Sequence, residues 1–314
     1  MPLARLFYLA GLRIDSTYLS HVASQSMDNA LEDITVYPAG HGFPRFTGSK
    51  MWSPEIPVEC TDLAGAITLL TNATICADLS SVNVDLLYRE AEPSGLHSNV
   101  ATTTLHQVYR GQSNAFLYWE SLSANQDDDA ATMAMRVLLQ GNGTDPVQVP
   151  AVALPAAGLQ VAPWTLGPWS INGAPLGSIT SARIDLNPEI ERLAADGEAV
   201  PTFVAIRRLR PVVTIETANL RAVSAFDREG FPVTTLTGYF RRRRPNRLLY
   251  GNGDAQHIRF AAAVGGSPPA GDAIATGKWR ETSGDPASCR LEIALQESAS
   301  GSNLFALESG QQIT

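Results

Sequence analysis

Few residues in this sequence could do chemistry, and their spacing argues against most uses. His21, His41, His97, His106 and His257 are scattered, and an isolated histidine lacks the further ligands that a zinc ion needs. Cys60, Cys76 and Cys289 are an odd set with no C-x-x-C pair, so neither a disulfide framework nor a zinc site is indicated, and a reduced, intracellular setting is the simpler expectation. Asp127-Asp128-Asp129 offers the hard oxygens that calcium takes, but three consecutive carboxylates read first as a solvated hairpin tip. H-E-x-x-H, P-loop and G-x-S-x-G patterns are all missing from the sequence. Gly141-Asn142-Gly143 and Gly251-Asn252-Gly253 are turn punctuation, since neither opens a helix after a strand. The expectation is a protein with no catalytic residues, no metal and no cofactor.

The strongest charge run is Arg241-Arg242-Arg243-Arg244, followed by Arg247. On a strand these side chains alternate between faces, which suits a subunit contact better than a flat DNA-binding stripe. Residues 1–150 hold 7 Lys+Arg against 16 Asp+Glu, a net of −9, and residues 151–314 hold 16 against 15, a net of +1. Arg242 and Arg244 are therefore expected to meet the acidic half of a neighbouring chain. A net charge of −8 with 17% charged residues argues against a dedicated nucleic-acid binder, which shows a basic footprint. No run approaches a membrane-spanning helix, so no membrane insertion by this chain is expected, and Met1 to Ile14 is too short and too interrupted by Arg13 for a secretory signal.

The elements that position these residues read as mainly β. Short alternating or apolar runs lie between Gly, Pro, Asn and Asp: Ile34–Tyr37, Ile56–Cys60, Val84–Tyr88, Thr103–Tyr109, Ala115–Trp119 and Met133–Leu139, then Ala182–Leu186, Val212–Thr217, Leu236–Phe240, His257–Val264, Ala273–Trp279 and Cys289–Leu295. One short amphipathic helix per half is predicted, Leu63 to Leu70 capped by Thr61 or Asp62, and Leu220 to Phe226 capped by Thr217 or Asn219. Pro150, Pro155, Pro163 and Pro168 between the halves predict an extended linker, because proline at that density cannot pair as a central strand. The 314 residues then divide into a first domain over 1–150, a Pro-rich linker over 151–175 and a second domain over 176–314, each able to bury its own core.

The two halves repeat each other. Ile34–Pro38 returns as Ile184–Pro188, 150 residues on, and Pro54–Ala64 returns as Pro211–Arg221, 157 residues on, which implies seven extra residues in the later copy. Trp119-Glu120-Ser121 matches Trp279-Arg280-Glu281, and Arg136 with its apolar strand matches Arg290.

The repeated unit is a strand ending in proline, a long irregular loop, a Pro-led strand with glutamate, a cap, a short helix and further strands. It resembles the tail tube domain of long-tailed bacteriophages. The resemblance implies two tandem β-sandwich or partial-barrel domains, each flanked by one short helix, in a doubled variant whose trimeric, pseudo-hexameric rings stack into a tube. It further implies a structural virion protein, assembled in the host cytoplasm, through whose lumen DNA passes without specific binding. Tape measure, tail terminator and baseplate proteins are the implied partners. The loops at Ala39–Ser53 and Glu189–Arg210 would reach neighbouring subunits, with Phe43, Arg45, Phe46, Asp196, Phe203 and Ile206 as contacts beside Arg242 and Arg244. A baseplate or distal tail ring, or a secreted carbohydrate-binding or adhesin sandwich, is the alternative.

Overall fold

The computed structural model describes residues 7–314 except 20, 29–30, 38, 41, 71–74, 80–81, 91–105, 112–113, 141–145, 151–161, 195–197, 221–230, 246–247, 264–272, 281–287 and 296–304. The fold is mainly β. The first half contains β1 (Phe7–Ile14), β2 (Thr17–Leu19), β3 (Val22–Gln25), β4 (Leu31–Val36), β5 (Phe46–Trp52), β6 (Glu55–Cys60), α1 (Leu63–Leu69), β7 (Cys76–Asp78), β8 (Val84–Glu90), β9 (His106–Gly111), β10 (Ala115–Asn125), β11 (Thr132–Leu139) and β12 (Val147–Gln148). The second contains β13 (Trp164–Ile171), β14 (Ala174–Pro175), β15 (Ile179–Asp185), β16 (Glu189–Leu193), β17 (Phe203–Arg208), β18 (Val212–Thr217), β19 (Phe231–Val233), β20 (Thr235–Arg242), β21 (His257–Ala263), β22 (Ala273–Arg280), β23 (Ser288–Ala294) and β24 (Ala306–Gln311).

The sheets repeat strand for strand. One five-stranded sheet runs β12-β9-β8-β1-β2, and its counterpart, read from the other end, runs β24-β21-β20-β13-β14. Facing them, β7-β10-β11-β6-β3 and β19-β22-β23-β18-β15 follow the same order and are fused through a β10–β15 pairing into one ten-stranded sheet. The hairpins β4–β5 and β16–β17 stand apart as two-stranded arms.

Register shows that the correspondence is free of gaps over the first third of each unit. Ile14 pairs with Val84, and Ile171, 157 residues on (171 − 14 = 157), pairs with Leu236. The turn residues Asp15 and Asn172, again 157 apart, both have φ 52°. Bulges recur at equivalent places: Leu9/Gly11 and Leu166/Trp169, Val22/Ser24 and Ile179/Ser181, Glu32/Asp33 and Glu189/Ile190. A bulge inserts one unpaired residue and bends the strand, so its placement is a feature of the fold and not an accident of alternation.

This register corrects the sequence reading in several places. Ile34–Pro38 does not correspond to Ile184–Pro188: Ile184 is equivalent to Met27, and Ile34 lies in the arm strand β4, whose equivalent is β16. The two phrases share only an isoleucine and a proline four residues later, too little to fix a register. The excursion between Asp28 and Glu55 has the same length as that between Asp185 and Val212, so the later copy has no extra residues there. Trp119 is equivalent to Gly277 and not to Trp279, and Arg136 to Glu292 and not to Arg290. The irregular loops are ordered hairpins.

The linker also shrinks. Trp164–Ile171, assigned to it by its prolines, is β13, an interior strand paired with β14 and β20. Pro168 is tolerated because it sits in the bulge, where no ladder bond is asked of it, and a Cβ at the preceding Gly167 would strike the Tyr239 carbonyl. The units are not separate beads either. One buried cluster runs from Leu12, Leu63 and Trp119 in the first unit to Phe260, Leu291 and Phe305 in the second. Trp119 meets Phe305 edge-on at 5.8 Å, and Phe305 meets Phe260 at 5.3 Å.

Asp62 caps α1 by accepting from the Gly65 amide, which satisfies a donor that a helix start leaves free. Leu63, Ala66, Ile67 and Leu69 turn inward. The predicted second helix lies outside the described residues beyond Leu220.

Candidate subunit interface

Two surfaces recur in both units: an arm and a sheet edge. The arms are the same object twice. In β4–β5, Val36 pairs with Phe46, Thr35 with Thr47 and Ile34 with Gly48; in β16–β17, Leu193 pairs with Phe203, Arg192 with Val204 and Glu191 with Ala205. Each tip is closed by an equivalent bond, Arg45 N–H to Val36 O (3.0 Å) and Thr202 N–H to Leu193 O (2.9 Å).

The second arm lies across the first unit. Val204, Ile190 and Ile206 pack on Phe116, Tyr118, Leu138 and Cys76. Burial, with Glu120 nearby, pushes the Tyr118 phenol up to about 12, so it stays neutral there. Arg192 forks to Glu55 and Ser53, and Glu55 also holds Arg136, which bridges to Glu120 (Nε–Oε1 3.0 Å). The Trp52 amide at the base of the first arm donates to Ala199 O at the tip of the second.

The second surface is the edge of β10. Along one side this strand pairs with β11; along the other, β7 takes Phe116–Tyr118 and β15 takes Ser121–Asn125. The second unit thus adds its β15 edge to the first by antiparallel strand addition, a mode in which main-chain bonds supply most of the adhesion. The equivalent of β10 is β22, which pairs with β23 and, over Ala273–Ala275, with β19. Among the described residues, no strand pairs with the rest of that side of β22 or with the outer side of β3.

The predicted contact residues distribute unevenly over these surfaces. Phe43, Arg45 and Phe46 are exposed on the first arm, Phe203 is exposed on the second, and Ile206 is half-buried where that arm docks. Asp196 lies outside the described residues. Arg242 and Arg244 are engaged within their own chain. Arg242 Cζ stacks 5.5 Å from the Trp164 ring centre and its Nη1 donates to Gln256; Arg244 Cζ lies 4.8 Å from the Tyr250 ring centre and pairs with Asp254. Of the run, Arg243 reaches the acidic half, at the Asp128 carbonyl (3.3 Å), but that acidic half is the chain's own. The stacking aromatics Trp164 and Tyr250 were the signal that these cations have local partners.

Sequence reasoning missed a charged triad in the first unit, a buried carboxylate between two half-buried arginines. Arg13 and Arg110 flank Asp85, with Arg13 Nε 2.9 Å from Oδ2 and Arg110 Nε 2.6 Å from Oδ1. Burial pushes this carboxyl up, but hydrogen bonds from Arg110 and Arg13 outweigh it and hold Asp85 below the ordinary carboxylate range. All three are separated in sequence and become neighbours only through the β1–β8–β9 register. Cys60 and Cys289 are buried, and burial pushes the Cys60 thiol up to about 12, which leaves it a poor nucleophile. Among the described residues no group of three or more His, Cys, Asp or Glu could hold a metal ion, and no helix is long and apolar enough to cross a membrane.

No protein-family model matches this sequence, and no curated protein matches it.

Proposed function

We propose that this chain is a self-assembling structural protein, the tail tube subunit of a long-tailed bacteriophage, in which rings of doubled units stack into a conduit for DNA. The observation that carries the proposal is the exposed apolar pair at each arm tip. Val36 and Phe46 are 49% and 58% exposed, and their equivalents Leu193 and Phe203 are each 52% exposed. The second arm is docked along its length, yet its tip pair stays as open as that of the first. An apolar pair kept uncovered at equivalent places on both units marks a contact with another molecule, and two such contacts per chain suit a ring that meets the next ring through every arm. The strand-for-strand repeat of the sheets supports the same reading, since one chain then presents pseudo-equivalent positions to its neighbours. The work of such a protein is assembly, with tape measure, tail terminator and baseplate proteins as the further partners and DNA passing without specific binding.

Negative-stain microscopy of the purified protein tests this directly. Hollow tubes with a regular axial repeat are expected, and Phe46→Asp with Phe203→Asp should leave rings that do not stack. Single rings from the unmodified protein would favour a baseplate or distal tail role, and monomers at high concentration would sink the proposal in favour of a binding module.

A further inference from the structure

We infer that a second copy of this chain adds the segment Ser26–Asp28, which continues β3 along the outer edge of its sheet, to the β22 edge of the first, in a register written out by the chain's own β10–β15 joint. This rests on the self-assembly proposed above, though not on the assembly being a tail.

The derivation uses only the repeat. Ser121, Leu122 and Ser123 of β10 pair with Asp185, Ile184 and Arg183 of β15. By their partners in β11 and β23, the equivalents of the first three are Lys278, Trp279 and Arg280. By their partners in β6 and β18, the equivalents of the second three are Asp28, Met27 and Ser26. The intermolecular joint therefore sets Lys278 opposite Asp28, Trp279 opposite Met27 and Arg280 opposite Ser26 of the second copy.

The residue types agree with this register. Leu122–Ile184, an apolar pair within the chain, becomes Trp279–Met27, also apolar. Ser123–Arg183 becomes Arg280–Ser26, the same pair with the sides exchanged. Ser121–Asp185 becomes Lys278–Asp28, an opposite-charge pair. Such cross-strand pairs each contribute modestly to pairing, and a one-residue slip would break all three. An edge left open is a liability that proteins cover or use. Because β3 and β22 are different edges, the contact is head-to-tail, so copies add until the rotation closes a ring or runs on as a filament.

Disulfide trapping reads the register. Opposite residues that do not exchange ladder bonds have the closest Cβ atoms, and Leu186 N–H donating to Glu120 O places Ser123–Arg183, hence Arg280–Ser26, in that class. In a Cys76→Ser background, with Cys60 and Cys289 buried, chains carrying Ser26→Cys are mixed with chains carrying Arg280→Cys under mild oxidation. A covalent dimer is expected, whereas Ser26→Cys with Lys278→Cys, out of register, should trap on the order of tenfold more slowly. Ser123→Cys with Arg183→Cys in one chain is the internal control and should close intramolecularly. If the control closes while the mixture yields no dimer, or both registers trap alike, the joint is wrong even where tubes form. A dimer from protein that forms no tubes leaves the joint standing and removes the tail assignment.

Discussion

The two arms share length, register, bulge and tip closure, and differ in what lies beneath them. The second arm is seated by Val204, Ile190 and Ile206 on the first unit and tied by Arg192 to Glu55. At the equivalent positions the first arm has Thr47, Ser49 and Thr35, with Asp33 where Ile190 stands. A docking made once, inside a chain, can use apolar burial and a partly buried ion pair. The first arm carries hydroxyls at three of those positions, and the apolar pair Val36 and Phe46 stands exposed at its tip. The arm fold is thus separable from the arm's contact, and the contact residues record which partner is permanent.

The largest effect expected from this difference comes from placing a charge at one position in both arms. Val204→Asp puts an unpaired carboxylate into the buried patch beside Tyr118 and Leu138, and should cost about 3–4 kcal/mol of folding stability. Thr47→Asp, on the exposed arm, should change stability by less than about 0.5 kcal/mol. Chemical denaturation of the two variants checks the pair, and equal losses would mean that the first arm is seated as firmly as the second.

The sheets that face away from the joint sharpen the comparison through pH. Arg13, Asp85 and Arg110 in the first unit become Ser170, Thr237 and Ala261 in the second. Asp85 has a folded pKa held below its unfolded value of about 3.9. Its contribution is therefore fully present above about pH 4 and is lost as pH falls through the folded value. Hydrogen exchange across the acid range should show β1, β8 and β9 losing protection before β13, β20 and β21. Asp85→Asn should cost about 3 kcal/mol at neutral pH, since it strands two arginines, and should abolish that acid-dependent difference.

How much of this was legible in the sequence depends on how each element is held. The strands of the ten-stranded sheet alternate apolar residues because one face is buried, and Ile56–Cys60 or Val212–Thr217 could be read directly. The strand β1 hides in an apolar run that resembles a signal segment, and Pro168 masks β13, although a bulge admits proline. The arms carry almost no alternation, since burial does not hold them and the hairpin ladder does. The offset of 157 was visible in Pro54–Ala64 and Pro211–Arg221, but the false match at Ile34 obscured its constancy, because residue phrases without bulges cannot fix register. The Arg13–Asp85–Arg110 triad needed three-dimensional neighbours that spacing does not show.

A middle-sized effect separates the ion pair from the apolar seat of the second arm. Glu55 is 8% exposed and holds both Arg192 and Arg136, whereas its equivalent in the second unit is the apolar Val212. Glu55→Gln should cost about 2 kcal/mol, because two partly exposed guanidiniums lose a charged acceptor but retain water. Combined with Arg192→Gln the loss should be less than additive, since the two share one interaction. Additive losses in denaturant titrations would show that Arg192 steadies the arm by packing alone.

The smallest effect on stability carries the most information about function. Phe46→Ser and Phe203→Ser remove rings that are more than half exposed, so each should move folding stability by no more than about 0.5 kcal/mol. If both tips serve the same kind of contact, either substitution alone should weaken higher-order association by a similar factor, and the double variant by roughly the product if the two contacts are independent. Sedimentation across a concentration series measures this. A loss confined to Phe46→Ser would make the first arm the contact surface and leave the second arm an internal brace, so the equality of the two tips would be ancestry and not use.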